Sequence, residues 1–175
     1  LGPQEIKDFS WSLRDLSKPT LIVANKVDLP SATDNFKRVR EEYNDMIIVP
    51  SSADAELTLR RAANRGLIRY FPGDERFEIK DQSILTDKQK WALNFIRKDI
   101  LDEYMRTGVQ FAINVAVFKL LRMNAVYPVA EASKLSDKSG NILPDVYLMK
   151  SGSTVEDLAK EVHSELAKGL LYAID

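Results

Sequence analysis

Two unbroken apolar runs stand out in an otherwise mixed chain: TLIVAN at 20–25 and MIIVPSSA at 46–53. An apolar run without polar alternation marks a strand covered on both faces, as in a parallel sheet flanked by helices. Between them, TDNFKRVREEYND has the polar amphipathic pattern of a surface helix. Strand, helix, strand in that order predicts a parallel crossover unit. A short helix precedes it over 4–17, where Ile6, Phe9, Trp11, Leu13 and Leu16 sit among charges, and it stops before Pro19.

Downstream the period changes. Leu59, Ala62, Ala63, Gly66, Leu67 and Tyr70 recur at spacings of three and four, which predicts a helix from Glu56 to Tyr70. FPGDERFEIKDQS reads as a loop, and a second helix is expected over 87–104 with Leu93, Ile96, Ile100 and Tyr104 on one face. Thr107-Gly108 breaks that pattern. VQFAINVAVFKLL is apolar nearly all round, so the helix it forms is expected to be deeply buried. After Arg122 come a strand (NAVYPV), a turn-rich excursion (KLSDKSGNILPD) and a second strand (VYLMK). SGSTVEDLAKEVHSELAKG follows as a helix, with Ser153 placed to cap it and Glu156 to complete a capping box. LLYAID reads as the start of a third strand.

The predicted organisation is an α/β part over 1–122, with a helical insertion over about 56–105 and a last helix over about 108–121. A small α+β part follows over 124–175, short of its last strands. Two short parallel strands do not make an independently stable sheet. The expectation is therefore a stretch of a longer protein, roughly twice this length.

Composition narrows the partners only a little. Twenty-five Lys and Arg oppose 26 Asp and Glu, so no global charge argues for nucleic acid or an anionic membrane. The absence of cysteine excludes thiolate metal sites and disulfides and fits a cytoplasmic protein. No apolar stretch reaches membrane-spanning length, so no membrane partner is expected.

The chemistry concentrates where the first apolar run stops, at Asn25, Lys26, Val27 and Asp28. Parallel strands deliver their C-terminal ends to the ligand crevice. A carboxylate there can accept both donors of a guanine edge, N1–H and the 2-amino group, as a charge-assisted pair. Adenine offers no such donors, and a carboxylate left unpaired costs roughly 1–3 kcal/mol. Asn25 can bond the purine N7 and tie neighbouring loops, while the Lys26 stem can lie over the ring. An N-K-x-D tetrapeptide is common by chance. The second run ends in Ser51, Ser52 and Ala53, beside the same crevice, where the Ala53 N–H can donate to O6. Two elements in order, each after a buried strand, point to guanine recognition.

NKVD and SSA resemble the fourth and fifth motifs of P-loop GTPases. VPSSADAELTLRRAANRGLIRYFPGD, TGVQFAINVAVFKLL, AVYPV, KLSDKSGNILPD and LMKSGSTVEDLAKEVHSEL together resemble the archaeal branch of the Obg-like, YchF-related GTPases, from Lys18 onward. The resemblance implies the C-terminal part of a P-loop G domain followed by a TGS domain, a ubiquitin-like β-grasp module that is incomplete here. It implies GTP/GDP as ligand, with Mg²⁺ ligands outside this stretch, and a ribosome or RNA as partner. YchF proteins proper end their motif in Glu and prefer ATP, so Asp28 implies GTP. The alternative is a non-catalytic TGS module that binds RNA or the ribosome.

Hydrolysis needs the loop G-x-x-x-x-G-K-[ST] to hold phosphates, and it does not occur in these 175 residues. No catalytic residue is therefore expected here, although the resemblance implies a GTPase as a whole. KSGST at 150–154 has Gly and Lys in the wrong order and reads as a helix cap, and DKSG at 137–140 reads as a turn. Arg61, Arg65 and Arg69, four apart on the expected helix, could meet RNA phosphates, though a solvated face is the commoner use. His163 lacks triad partners. Trp91 and Phe95 are expected to pack against the core. Asp99, Asp102 and Glu103 have no convergent spacing, so no metal site is expected.

Overall fold

The computed structural model describes every residue except Leu1, Ala132, Pro144 and Asp175, and all side chains of the rest but that of Asp15. The chain divides into two compact units, Leu1–Ala116 and Val117–Asp175.

In the first unit, α1 (Pro3–Ser17) precedes β1 (Ile22–Asn25), α2 (Ala32–Glu42) and β2 (Ile48–Ser51). The two strands pair in parallel, from Ile22 opposite Ile48 to Asn25 opposite Ser51. The crossover unit expected from the pattern is therefore present, and the tips of both strands lie side by side. Val49 packs with Ala112, Val115 and Leu21 in a small core. The expectation that both faces of β1 are covered does not hold among the described residues, because Val23 is 45% exposed. A sheet of two strands has little flanking structure to cover such a residue.

The stretch between Ser52 and Thr107, where a helical insertion is expected, carries the larger core: Leu59, Ile68, Leu93, Ile96 and Ile100 with their neighbours. Full burial of one such side chain stabilises by about 1.5–3 kcal/mol. The first helix of the insertion, α3, runs Ala53–Asn64. It both starts and ends earlier than its apolar spacing suggests. Ser52 caps it at the front, and Gly66 closes it at φ 73°. The Gly66 N–H donates to the Ala63 carbonyl and the Leu67 N–H to that of Ala62, the paired bonds of a Schellman end. Leu67 and Tyr70 thus lie beyond the helix, where β3 (Ile68–Arg69) pairs antiparallel with β4 (Glu78–Ile79) inside the expected loop.

The next helix is α4 (Asp87–Phe95), with Thr86 and Gln89 forming a reciprocal cap. It continues as a π-helical turn (Ile96–Leu101) and α5 (Asp102–Tyr104). Phe95 packs against the core as expected, and Trp91 stacks on it at 5.6 Å while remaining 68% exposed. The last helix, α6 (Val109–Asn114), winds on as a π-helical turn over Val115–Leu120. It is buried along Ala112 and Val115 only, whereas Phe111, Ile113 and Phe118 are exposed, so the deep burial expected all round is confined to one face.

In the second unit, β5 (Met123–Val126) and β6 (Tyr147–Lys150) form an antiparallel pair. Asp137 holds the excursion between them by accepting from the Ser139 and Asn141 N–H groups, each at 2.8 Å, so DKSG is a turn. α7 (Val155–Val162) begins one residue later than expected. The Ser153 N–H is spent on the Lys150 carbonyl at 3.0 Å, closing the turn at Ser151-Gly152 ahead of the helix. Thr154 and Asp157 make the reciprocal cap in place of Ser153 and Glu156, and Glu156 pairs with Lys160 instead. The helix then breaks at His163, in extended backbone, before α8 (Ser164–Lys168). Residues 170–174 form no strand, contrary to the expected third one.

Candidate functional site

The site grows from the way β1 ends. Lys26 adopts φ 70°, a left-handed conformation uncommon outside glycine, and so stops the strand abruptly. The chain then turns Val27 inward, where its N–H donates to the Ser51 carbonyl at 3.1 Å. That bond ties the end of β1 to the end of β2. It also brings the half-buried Asp28 against Ser52, whose hydroxyl donates to Asp28 Oδ1 at 2.6 Å.

Ser52 is fully buried and held from every side. Its hydroxyl oxygen accepts from the Ala55 N–H at 3.2 Å, capping α3. Its own N–H donates to the Thr107 carbonyl at 2.8 Å. Asn25, at the exposed tip of β1, accepts from the Ala53 N–H through Oδ1 at 3.1 Å. The structure therefore brings Asn25, Lys26, Asp28, Ser51, Ser52 and Ala53 together at adjacent strand ends. One detail differs from expectation: the Ala53 N–H faces Asn25, so O6 of a purine would have to share or take over that donor.

Chemically, the second oxygen of Asp28 has no hydrogen-bond partner among the described residues. A carboxylate held at one oxygen and open at the other is poised to accept from a ligand. Asn25 spends its carbonyl on Ala53 and keeps its NH₂ group for an acceptor. A hollow of about 330 Å³ beside the tip of β1 touches Asn25 and Lys26 but not Asp28, Ser52 or Ala53. It lies toward α2 and is not where these polar groups converge.

Residues 23–131, more than half of the chain, match the model of the Obg-like GTPase YGR210-like, G4 motif-containing domain. The chain belongs to this Obg-like GTPase family. Residues 139–175 match the TGS domain, so a G4-containing GTPase domain is followed by a TGS domain, as the motif order implies. An uncharacterized GTP-binding protein of Methanocaldococcus jannaschii is 46% identical over 172 residues, covering 98% of this chain and 43% of the relative. Another from Schizosaccharomyces pombe is 26% identical over 155 residues, covering 85% of this chain and 38% of the relative. The crystal structure of a GTP binding protein from Pyrococcus horikoshii OT3 superposes with a TM-score of 0.69 at 41% identity, over 100% of this chain and 44% of that one. The chain thus spans less than half the length of the relatives it matches.

Within this Obg-like chain, the arginine row is not one helical face. Arg61 lies on α3 and Arg65 caps it, but Arg69 is on β3 opposite Glu78. The Schellman end at Gly66 separates them. His163 sits at the helix break, and its Nδ1 accepts from the Glu165 N–H. Among the described residues no group of three or more His, Asp or Glu converges as a metal cage, so no step through Mg²⁺ is assigned to these residues.

Sequence reasoning missed Glu56, Tyr70 and Thr107. Glu56 is 4% exposed and accepts from Arg60 Nε at 2.6 Å, the Tyr70 hydroxyl at 2.7 Å and the Thr107 hydroxyl at 2.6 Å. Burial alone would raise its carboxyl, but the bonds from Thr107, Arg60 and Tyr70 hold it below the usual carboxylate range. Tyr70 is pushed up to about 12 by burial and by the Glu56 carboxylate. Tyr70 and Thr107 lie 14 and 51 residues away along the chain, so no local spacing could have announced the cluster.

Proposed function

We propose that this chain supplies the base-reading part of a guanine-nucleotide site in a GTP-binding protein. The observation that carries it is Asp28, braced by Ser52 at one oxygen and open at the other, at the paired tips of two parallel strands. Asp28 accepts N1–H and the 2-amino group, Asn25 donates to N7, Lys26 covers the ring, and the Ser51-Ser52-Ala53 backbone lines the O6 side. Membership of an Obg-like GTPase family and the names of the relatives support the ligand. Phosphate binding, Mg²⁺ and hydrolysis belong to parts of the protein outside these residues. The test is Asp28→Asn in the complete natural protein. An amide donates where the carboxylate accepted, so GDP binding should weaken by more than tenfold, while xanthosine diphosphate, which carries a carbonyl in place of the 2-amino group, should gain. Unchanged GDP affinity would sink the reading.

A second reading, contact with RNA such as that of the ribosome, is favoured by Arg61 and Arg65 at a cleft of about 180 Å³ between α3 and α4. Neither makes an ion pair among the described residues. Replacing both with Glu should weaken RNA binding several-fold at low salt and flatten its salt dependence. RNA binding that ignores this change would remove the reading.

A further inference from the structure

Among the described residues, the buried polar groups of Ser52, Glu56 and Thr107 form one hydrogen-bonded cluster next to the end of β2 at Ser51. A buried carboxylate with three donors is not the cheapest filling for a core, since apolar groups of similar shape are often as stabilising. Its bonds, however, run toward the base site. Glu56 fixes the Thr107 hydroxyl at 2.6 Å, the Thr107 carbonyl fixes the Ser52 N–H at 2.8 Å, and the Ser52 hydroxyl holds Asp28 at 2.6 Å. Thr107 also stands at the far end of the insertion that begins after Ser52, so both ends of the insertion meet at this junction.

We infer that Glu56 and Thr107 are positioning residues for base recognition, setting through Ser52 the place at which Asp28 meets the purine 2-amino group. The inference rests on the guanine-reading role proposed above for Asp28. Tyr70 contributes as a further anchor of Glu56, and in turn receives the Gly73 N–H at its hydroxyl oxygen at 3.3 Å. A small displacement of Thr107 shifts Ser52, and a hydrogen bond of Asp28 weakens steeply with misalignment.

The readout that separates positioning from simple support is selectivity between GDP and inosine diphosphate, which lacks only the 2-amino group. Calorimetry on the complete natural protein should compare wild type with Thr107→Val, Thr107→Ser and Tyr70→Phe. Wild type prefers GDP. Thr107→Val, nearly isosteric but without the hydroxyl, reduces that preference about fivefold or more. Thr107→Ser restores it, and Tyr70→Phe gives an intermediate loss. If Thr107→Val keeps the wild-type ratio, even with both affinities lowered equally, the cluster only holds the fold and the inference is overturned. Should Thr107→Val not fold, Tyr70→Phe decides by the same ratio. A wild-type ratio near one that Asp28→Asn does not alter fails the guanine reading itself, and this inference falls with it.

Discussion

Ser52 and Asp28 share a hydrogen bond of 2.6 Å across 24 residues of sequence, and the same serine oxygen accepts the Ala55 N–H. One hydroxyl therefore donates to the candidate base-reading carboxylate and caps the first helix of the insertion. The two uses are compatible because a hydroxyl has one donor and two acceptor lone pairs.

Substitutions at Ser52 separate the two uses. Ser52→Ala removes the cap and should cost about 1 kcal/mol of stability, with Asp28 left to water. Ser52→Gly costs only a few tenths of a kcal/mol as a cap but equally removes the bond to Asp28. Both variants should lose about tenfold in GDP affinity, while only Ser52→Ala shifts Tm clearly. A Ser52→Gly variant with wild-type GDP affinity would show that the serine does not brace Asp28.

Gly108 offers a test of the junction itself. It sits at φ 86°, and a Cβ there would fall 2.0 Å from the Pro50 carbonyl oxygen and 2.8 Å from the Ser51 Cα. Backbone atoms cannot swing away, so Gly108→Ala should cost about 3 kcal/mol or more. Gly66, at φ 73°, has nothing within 4 Å of that position. Gly66→Ala carries the conformational cost alone, about 1–2 kcal/mol. Denaturant midpoints should rank the two in that order. Equal losses would mean that the contact between Gly108 and β2 is looser than described.

The Glu56–Tyr70 pair predicts a pH response at each end of the scale. Tyr70 is raised from its ordinary value of 10.0 to about 12. Its contribution is therefore complete below pH 10 and is lost as pH rises toward 12, on the order of 2 kcal/mol in all. Glu56 is lowered, so its contribution is present above the ordinary value of 4.5 and is lost as pH falls through the depressed value. Thermal unfolding followed from pH 9 to 12 should show a fall that Tyr70→Phe flattens. An identical slope in the variant would place the alkaline titration elsewhere.

Much of this site was legible because it is written locally. The apolar runs ending in NKVD and SSA announce two strands, and the helix between them makes the strands parallel, so that their tips lie side by side. Lengths of elements were less legible. Apolar spacing carried the first insertion helix on to Tyr70, but the left-handed turn at Gly66 stopped it, and the residues beyond became a short hairpin. The row of arginines was an artefact of the same extension. At the last long helix the cap lies one residue later than expected, at Thr154 with Asp157 in place of Ser153 with Glu156.

Residue type alone decided that Asp28 can only accept when ionised, that Gly108 tolerates a conformation other residues resist, and that these residues carry no phosphate-binding loop. Side-chain chemistry and backbone sterics act within a few residues, so they can be read along the chain. Only the tertiary structure decided that Ser52 braces Asp28, that Asn25 already occupies the Ala53 N–H, and that Glu56 gathers Arg60, Tyr70 and Thr107. Those partners are mostly far apart in sequence, and nothing short of packing the insertion back onto the strand tips brings them within bonding distance.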